Sequence, residues 1–311
     1  MATKIAALVV TYNRKALLRS CLNALFQQTR RPDVIYVIDN ASTDGTEALL
    51  DSLGYLTRDE LVYRRLRENA GGAGGFHAGV DQAVRDGNDW IWLMDDDAEP
   101  DPGALLALEQ TGLETAHCYG SSAIFDSDDG ARLLCWPAEE ADSGKYQQQR
   151  IRNYDDLPDA MRVTGLPFLG FMVNRETVER VGLPEAGYFI SGEDMDYSER
   201  IRKAGTDFVL VKASLIKHPR PADYTVRFMA QTFFCVRMPP WRRYYNIRNR
   251  VLNGRRHYGI HLVLMTLPGV FVRWGATLVY EPGRWRQSLA YARGIVDGLC
   301  NRLGKRWEPG H

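Results

Sequence analysis

Residues 90–101, WIWLMDDDAEPD, run five large apolar side chains into three adjacent carboxylates, Asp95, Asp96 and Asp97. Three neighbouring negative charges repel one another, so something must offset them. The cluster has three readings. It can be a solvated turn capping the next helix, since DAEPDP is a good loop. It can hold a phosphorylatable aspartate, which wants a lone nucleophilic Asp beside a Lys. Or it can bind a divalent cation, because hard carboxylate oxygens suit Mg2+ or Mn2+. Residues i and i+2 of an extended segment point the same way, so Asp95 and Asp97 could share one ion while Asp96 faces elsewhere. An ion with open positions also binds phosphate oxygens, which fits a nucleotide-diphosphate substrate.

The elements that must position these carboxylates alternate along the first 115 residues. KIAALVV, PDVIYVID, LVYRRL and DWIWLMD are short apolar runs that predict strands. RKALLRSCLNALFQQ predicts a helix with Leu18, Leu22, Leu25 and Phe26 on one face. STDGTEALLDSL predicts a second, with Ser42 or Thr43 as its N-cap and Asp44-Gly45 turning the chain into it. GGFHAGVDQAVRDG and DPGALLALEQTGL predict two more. Repeated β–α units imply a mostly parallel α/β sheet with helices on both faces. Ligands of such sheets gather at the carboxyl ends of the strands. Thr11-Tyr12-Asn13, Asp39-Asn40 and Asp95-Asp96-Asp97 all follow strands and should line one edge.

Two further stretches could do chemistry. Asn69-Ala70-Gly71-Gly72-Ala73-Gly74-Gly75 is read as a loop before a helix. Its glycines would let backbone N–H groups approach an anion such as pyrophosphate, or it is a flexible connector. The spacing is not the GxGxxG dinucleotide pattern. SGEDMDYSERIRKAG predicts a short helix closed by Gly205, with Asp194 three residues after a capping Ser191. At that position the helix dipole would lower the Asp194 pKa. Residues 118–162 read as short strands plus a loop, and VTGLPFLGFMVNRETVERVG as strand then helix.

Charge is balanced overall but not along the chain. Residues 1–219 carry 23 Lys/Arg against 35 Asp/Glu, and residues 220–311 carry 16 against 4. The basic tail therefore suggests an anionic partner. Its stretch WRRYYNIRNRVLNGRRHY interleaves six arginines with aromatic rings. That mixture could bind nucleic acid, lie on an anionic membrane, or pack as an ordinary helix. GIHLVLMTLPGVFVRWGATLVY is apolar but broken by Pro268 and Arg273, a poor membrane span and a plausible interfacial or dimer-forming helix. The five cysteines are scattered without a CxxC pair, which suggests a reducing cytoplasm and no thiolate zinc site. The first residues lack the features of a signal peptide.

VVTYNR, VIDNASTDGT, ENAGGAGGFHAGV, WLMDDDAEPDP and GYFISGEDMDYSERIRKAG, in this order, resemble family 2 glycosyltransferases of the GT-A fold. The resemblance covers roughly residues 4 to 220 and is nearest to galactofuranosyltransferases, then rhamnosyltransferases. It implies a metal-dependent, inverting sugar transfer from a nucleotide diphosphate, with Mn2+ or Mg2+ as cofactor. Asp95 and Asp97 match the family metal motif, and His218 in LIKHPR stands where a third ligand belongs. Asp96 matches a donor-sugar contact, Asp39 the uracil or ribose contact, and Thr11 and Tyr12 the nucleotide pocket. Asn69, Gly71, Gly72 and Gly74 fall on the pyrophosphate side. Glu193-Asp194 match the acceptor-side acidic pair, with Asp194 as general base and Glu193, Asp196 and Tyr197 near the acceptor. Trp136 or Phe168 could stack on a sugar.

These matches imply a catalytic domain over 1–223, with a nucleotide half (1–115) and an acceptor half (116–223). A helical basic region follows over 224–311. A UDP-sugar, most of all UDP-galactofuranose, is the expected donor, and a glycan or lipid-linked glycan the acceptor. dTDP-rhamnose as donor and a non-catalytic sugar-binding protein are the rivals. The tail, through 241–280, is expected to meet an anionic membrane on the cytoplasmic face. Nucleic acid is not an expected partner, and self-association stays open.

Overall fold

The computed structural model describes residues 3–141, 150–228 and 231–308. The chain forms two compact units. One comprises residues up to Pro184 with Tyr197–Arg220, and the other Glu185–Asp196 with residues from Pro221 onward. Residues 142–149, within the segment expected to be strands and loop, lie outside the described residues.

The first unit contains β1 (Ile5–Thr11), α1 (Lys15–Phe26), β2 (Val34–Asp39), α2 (Thr46–Ser52), β3 (Leu61–Arg65), α3 (Gly71–Arg85) and β4 (Trp90–Asp95). Then come β5 (Glu99–Pro100), α4 (Ala104–Glu109), β6 (His117–Asp126), β7 (Arg132–Glu139), β8 (Arg150–Asn153), β9 (Ala160–Val163), β10 (Phe171–Asn174) and α5 (Arg175–Val181). Most of α6 (Glu193–Lys203) and β11 (Asp207–Lys217) complete it. The central sheet runs β3-β2-β1-β4-β10-β6-β11-β5. Its first four strands are parallel, as the β–α alternation predicts. β10 then enters antiparallel to both β4 and β6, so the second half of the sheet is mixed.

Strand β1 shows why this is a two-faced α/β sheet. All seven residues are buried. Ile5, Ala7 and Val9 join Leu18, Leu22 and Leu25 of α1 in one core, while Ala6, Leu8 and Val10 join Phe76, Val80 and Ala83 of α3 in the other. A strand covered on both faces loses the polar alternation of a half-exposed one and becomes a continuous apolar run. Helix α3 lies unusually close: a Cβ at Gly75 would sit 2.4 Å from Val10 Cγ1, and one at Gly79 2.3 Å from Leu8 Cδ1.

Helix starts differ from the sequence expectation at three places. Helix α2 begins at Thr46 after Gly45, whose φ of 84° is left-handed, so neither Ser42 nor Thr43 is its cap. Asp44 does turn the chain: its Oδ1 accepts from the Thr46 amide at 3.1 Å and its Oδ2 from the Lys15 amide at 3.1 Å. The glycine run is the first turn of α3 rather than a loop before it. Helix α6 starts at Glu193, and Ser191 lies two residues earlier with φ 69°, outside the cap position.

In the second unit, the first turn of α6 belongs with a hairpin of β12 (Asp223–Phe228) and β13 (Gln231–Val236), which the helical reading of the tail did not include. Helices α7 (Pro240–His257), α8 (Leu267–Tyr280) and α9 (Arg284–Leu299) follow, with a π-helical turn over Leu262–Thr266. Helices α7 and α9 pack through small residues. A Cβ on Gly298 would lie 2.6 Å from the Arg248 carbonyl oxygen, and one on Gly294 2.9 Å from that of Tyr244.

Candidate active site

Parallel pairing of β1 with β2 and β4 sets Thr11 beside Asp39 and Val10 beside Asp95. The carboxyl ends of three strands therefore meet at one edge, as expected. Thr11 Oγ1 donates to Asp96 Oδ2 at 2.7 Å, closing β1 onto the turn after β4. Arg14 Nη1 reaches Asp96 Oδ1 at 3.2 Å and Asp97 Oδ2 at 2.9 Å. His218 Nε2 lies 3.3 Å from Asp97 Oδ1, and its Nδ1 2.7 Å from the Pro219 carbonyl. Arg14 was not foreseen. Its signal was its place three residues past the end of β1, where a side chain entering α1 faces the strand-end acids.

Protein cations thus offset the repulsion that the sequence raises. Asp95 keeps an exposed edge, yet the protein around it strips hydration. That desolvation, then the charges of Asp97 and Asp96, push its carboxyl up to about 7, against the pull of His218 and Arg14. Burial also opposes ionisation of Asp97, but hydrogen bonding and charge from His218, with Arg14, hold it below the usual aspartate range. Burial works against a charged His218, and its pairing with Asp97 and Cys135 overrides that, pushing the imidazole up to about 10.

The arrangement fits a divalent ion. Asp97 Oδ1 is buried and faces His218 Nε2 at 3.3 Å. Asp95 and Asp97 offer oxygens and His218 a nitrogen, a donor set that suits Mn2+ better than Mg2+. No group of three or more such ligands stands ready assembled among the described residues, and Arg14 and His218 hold Asp97 instead. A bound ion would displace both.

Other predicted residues fall in different surroundings. Asp96 is buried, and Thr11 and Arg14 occupy both its oxygens. Asp39 is fully buried, its Oδ1 accepting from the Ser42 amide at 2.8 Å and its Oδ2 from the Tyr63 hydroxyl at 2.6 Å. It therefore shapes the loop after β2 without presenting an exposed oxygen. Tyr12 is exposed at the edge. Asn69 Oδ1 accepts from the Gly71 amide at 2.8 Å, which fixes the start of α3. Gly71, with φ 74°, makes that turn, and Gly72 follows it in the helix. A Cβ at Gly74 would lie 2.5 Å from the Ala70 Cβ, so that glycine serves packing. Tyr197 is fully buried between Phe168 and Phe171, with ring centroids 5.8 and 6.2 Å away. Phe168 is core as well. Trp136 is half exposed, its ring edge-on to His218 at 5.8 Å.

In the second unit, Glu193 and Asp194 open α6. Glu193 is buried and Asp194 half-buried. Asp194 Oδ1 accepts from the Met195 amide at 2.8 Å. Burial raises the Asp194 carboxyl above its usual range, and the backbone amides of Met195 and Asp194 only partly counter it. The lowering expected from a cap position does not occur, because burial outweighs the amide bonds. Asp196 turns inward, 2.8 Å from His257 Nε2 and 3.1 Å from the Tyr188 hydroxyl. It is buried.

Residues 6–176 match the model of the family described as Glycosyl transferase family 2. The chain belongs to glycosyltransferase family 2. It is 29% identical to galactofuranosyltransferase GlfT1 of Mycobacterium tuberculosis over 268 residues, covering 80% of this chain and 82% of that one. It is 26% identical to the N-acetylglucosaminyl-diphospho-decaprenol L-rhamnosyltransferase of the same organism over 250 residues, covering 70% and 76%. Among solved structures, the mannosyltransferase PcManGT from Pyrobaculum calidifontis, in complex with GDP-Man and Mn2+, aligns with a TM-score of 0.58 at 16% identity. That alignment covers 97% of this chain and 88% of the other. The enzyme class and the GT-A fold expected from the sequence therefore stand.

Proposed function

We propose that this glycosyltransferase moves galactofuranose from UDP-galactofuranose to a glycan or lipid-linked glycan acceptor, with inversion and with a divalent ion. The observation that carries the metal reading is the buried Asp97 Oδ1 set 3.3 Å from His218 Nε2 at the strand edge, beside Asp95. Asp95, Asp97 and His218 would hold the ion. When bound, the ion stabilises negative charge developing on the departing diphosphate. Thr11, Tyr12 and the loop shaped by Asp39 frame the nucleotide. The α3 N-terminus offers the Gly72 N–H to the phosphates, with the turn before it fixed by the Gly71 amide on Asn69 Oδ1. Arg14, once displaced, is a cation within reach of the same anion. Trp136 is the aromatic left open to a sugar face.

Asp194 would take the proton of the attacking acceptor hydroxyl. Burial makes it a stronger base than an ordinary aspartate, which suits that task, and the buried Glu193 stands beside it at the start of α6. Inversion needs no enzyme nucleophile, only one in-line attack. The names of the two mycobacterial relatives support galactofuranose and keep rhamnose as the second reading. Turnover of a panel of nucleotide sugars in Mn2+ tests the choice. UDP release from UDP-galactofuranose, with no turnover of dTDP-rhamnose, is expected; the reverse pattern moves the enzyme to the rhamnose class.

The tail reading changes in detail. Arg243 and Arg248 are buried, so those two cannot meet lipid phosphates. Leu262–Tyr280 is the one stretch among the described residues long and apolar enough to cross a membrane by length and composition. Ile260, Val263, Leu264, Met265, Phe271 and Val279 are each more than half exposed. An apolar exposed face close to Arg255 and Arg256 supports peripheral attachment to an anionic cytoplasmic leaflet. Sedimentation with phosphatidylglycerol vesicles but not phosphatidylcholine vesicles is the expected result.

A further inference from the structure

Five backbone carbonyls of residues 187–192 are hydrogen-bonded to side chains of one helix, α7. Arg248 Nη2 donates to Gly187 at 3.2 Å and to Tyr188 at 2.6 Å. The Asn249 carboxamide donates to Tyr188 at 3.0 Å, Ile190 at 2.9 Å and Ser191 at 2.6 Å. Asn253 Nδ2 donates to Gly192 at 2.9 Å. The next residues are Glu193 and Asp194. Four residues beyond Gly192, Asp196 accepts from His257 Nε2 at 2.8 Å, one turn further along α7.

This segment cannot hold its course unaided. Phe189 and Ser191 have φ of 64° and 69°, and Gly192 of 87°. Two non-glycine residues in the left-handed region persist only where the surroundings over-determine them, and such strain gathers at functional sites. Here the surroundings are the Asn249, Asn253 and Arg248 side chains. Arg248 and Asn249 are fully buried; the Asn249 amide and Arg248 Nη2 serve these carbonyls, while Arg248 Nε donates to Asn249 Oδ1 and its Nη1 to the Gly304 carbonyl. The Asp194 side chain bonds to the Met195 amide of its own turn. Its aim therefore follows the backbone, which α7 grips both before it, at residues 187–192, and after it, at Asp196.

We propose that helix α7 positions the general base: Asn249 and Asn253 fix the left-handed approach to α6, and His257 pins its first turn through Asp196. The inference rests on Asp194 being the base. His257 and Asn249 are positioning residues, since they act through that turn and touch no substrate.

The test measures turnover of UDP-galactofuranose, read as UDP release at saturating acceptor, beside Mn2+–UDP affinity by calorimetry. In His257→Leu, kcat should fall about 10- to 100-fold while Mn2+–UDP affinity stays within about twofold, and His257→Gln, which keeps a donor, should retain at least about a third of kcat. Asn253→Ala carries the same test should His257→Leu fail to fold. Unchanged kcat in a folded variant, parallel loss of kcat and UDP affinity, or a Gln variant no better than Leu would each overturn the proposal. Asp194→Asn run alongside separates the two ideas. If it turns over normally, the base reading falls and this proposal with it. If it is inactive while His257→Leu is normal, only the positioning role is lost.

Discussion

Asp97 at the strand edge and Asp194 at the start of α6 are shifted in opposite directions, while Asp95 beside Asp97 is raised as Asp194 is. At the strand edge of the first unit, Asp97 is held ionised by His218 and Arg14, below the usual aspartate range. At the start of α6 in the second unit, Asp194 has no such pairing among its pKa-shifting influences, and burial raises it. A carboxylate such as Asp97, kept charged by displaceable cations, suits a stronger cation. A carboxylate made more basic by burial suits a proton. One residue type thus serves two tasks, and the neighbours rather than the aspartates decide which.

The comparison breaks most visibly at Asp194. Asp194→Asn should lower kcat by about 10²- to 10⁴-fold, the usual worth of a general base. UDP affinity in Mn2+ should be unchanged, because that region holds no nucleotide. Equal turnover in the variant would remove Asp194 as the base.

The pH profile sharpens the same contrast. A base is active when ionised, and the folded Asp194 carboxyl is raised. Below its apparent pKa, kcat should fall about tenfold per pH unit, beginning above the range of an ordinary aspartate near 4. A profile flat down to that ordinary range would contradict the raised carboxyl.

A smaller effect is expected at Asp95, whose carboxyl in the metal-free protein is pushed up to about 7. Between about pH 4 and that value the folded chain holds a proton that the unfolded chain has released. Stability of the metal-free protein therefore falls as pH rises through this window. Asp95→Asn removes the ionisable group, so it should raise Tm at pH 8 and change it little at pH 4.5, read by calorimetry in EDTA. A Tm gain equal at both pH values would show that the carboxyl is not perturbed.

The two regions also differ in how far the sequence reveals them. Strand-end acids follow short apolar runs, so their meeting at one edge is legible from β–α alternation alone. Asp44 is legible too, because its turn role is local. Tyr197 and Asp196 are buried, and a motif gives order along the chain but not which side chains the core takes in. The partners of Asp196 and of the 187–192 carbonyls lie about sixty residues away on α7. Its run of arginines and aromatics reads as a surface-binding stripe, yet Arg248 and Asn249 are spent on satisfying backbone carbonyls. Periodicity registers apolar burial and is blind to buried polar side chains that serve another segment's hydrogen bonds. Ser191 and Phe189 illustrate the same limit: left-handed non-glycine residues have no sequence signature.

The central claim is that Asp95 and Asp97 hold a cation that carries the donor diphosphate. Calorimetric titration of UDP into wild type and Asp97→Ala, each with Mn2+ and with EDTA, tests it most directly. The account predicts binding by wild type in Mn2+ only, with proton release from His218, and loss of that binding in Asp97→Ala. Wild-type affinity for UDP in EDTA, or an Asp97→Ala protein that binds Mn2+–UDP as well as wild type, would contradict it.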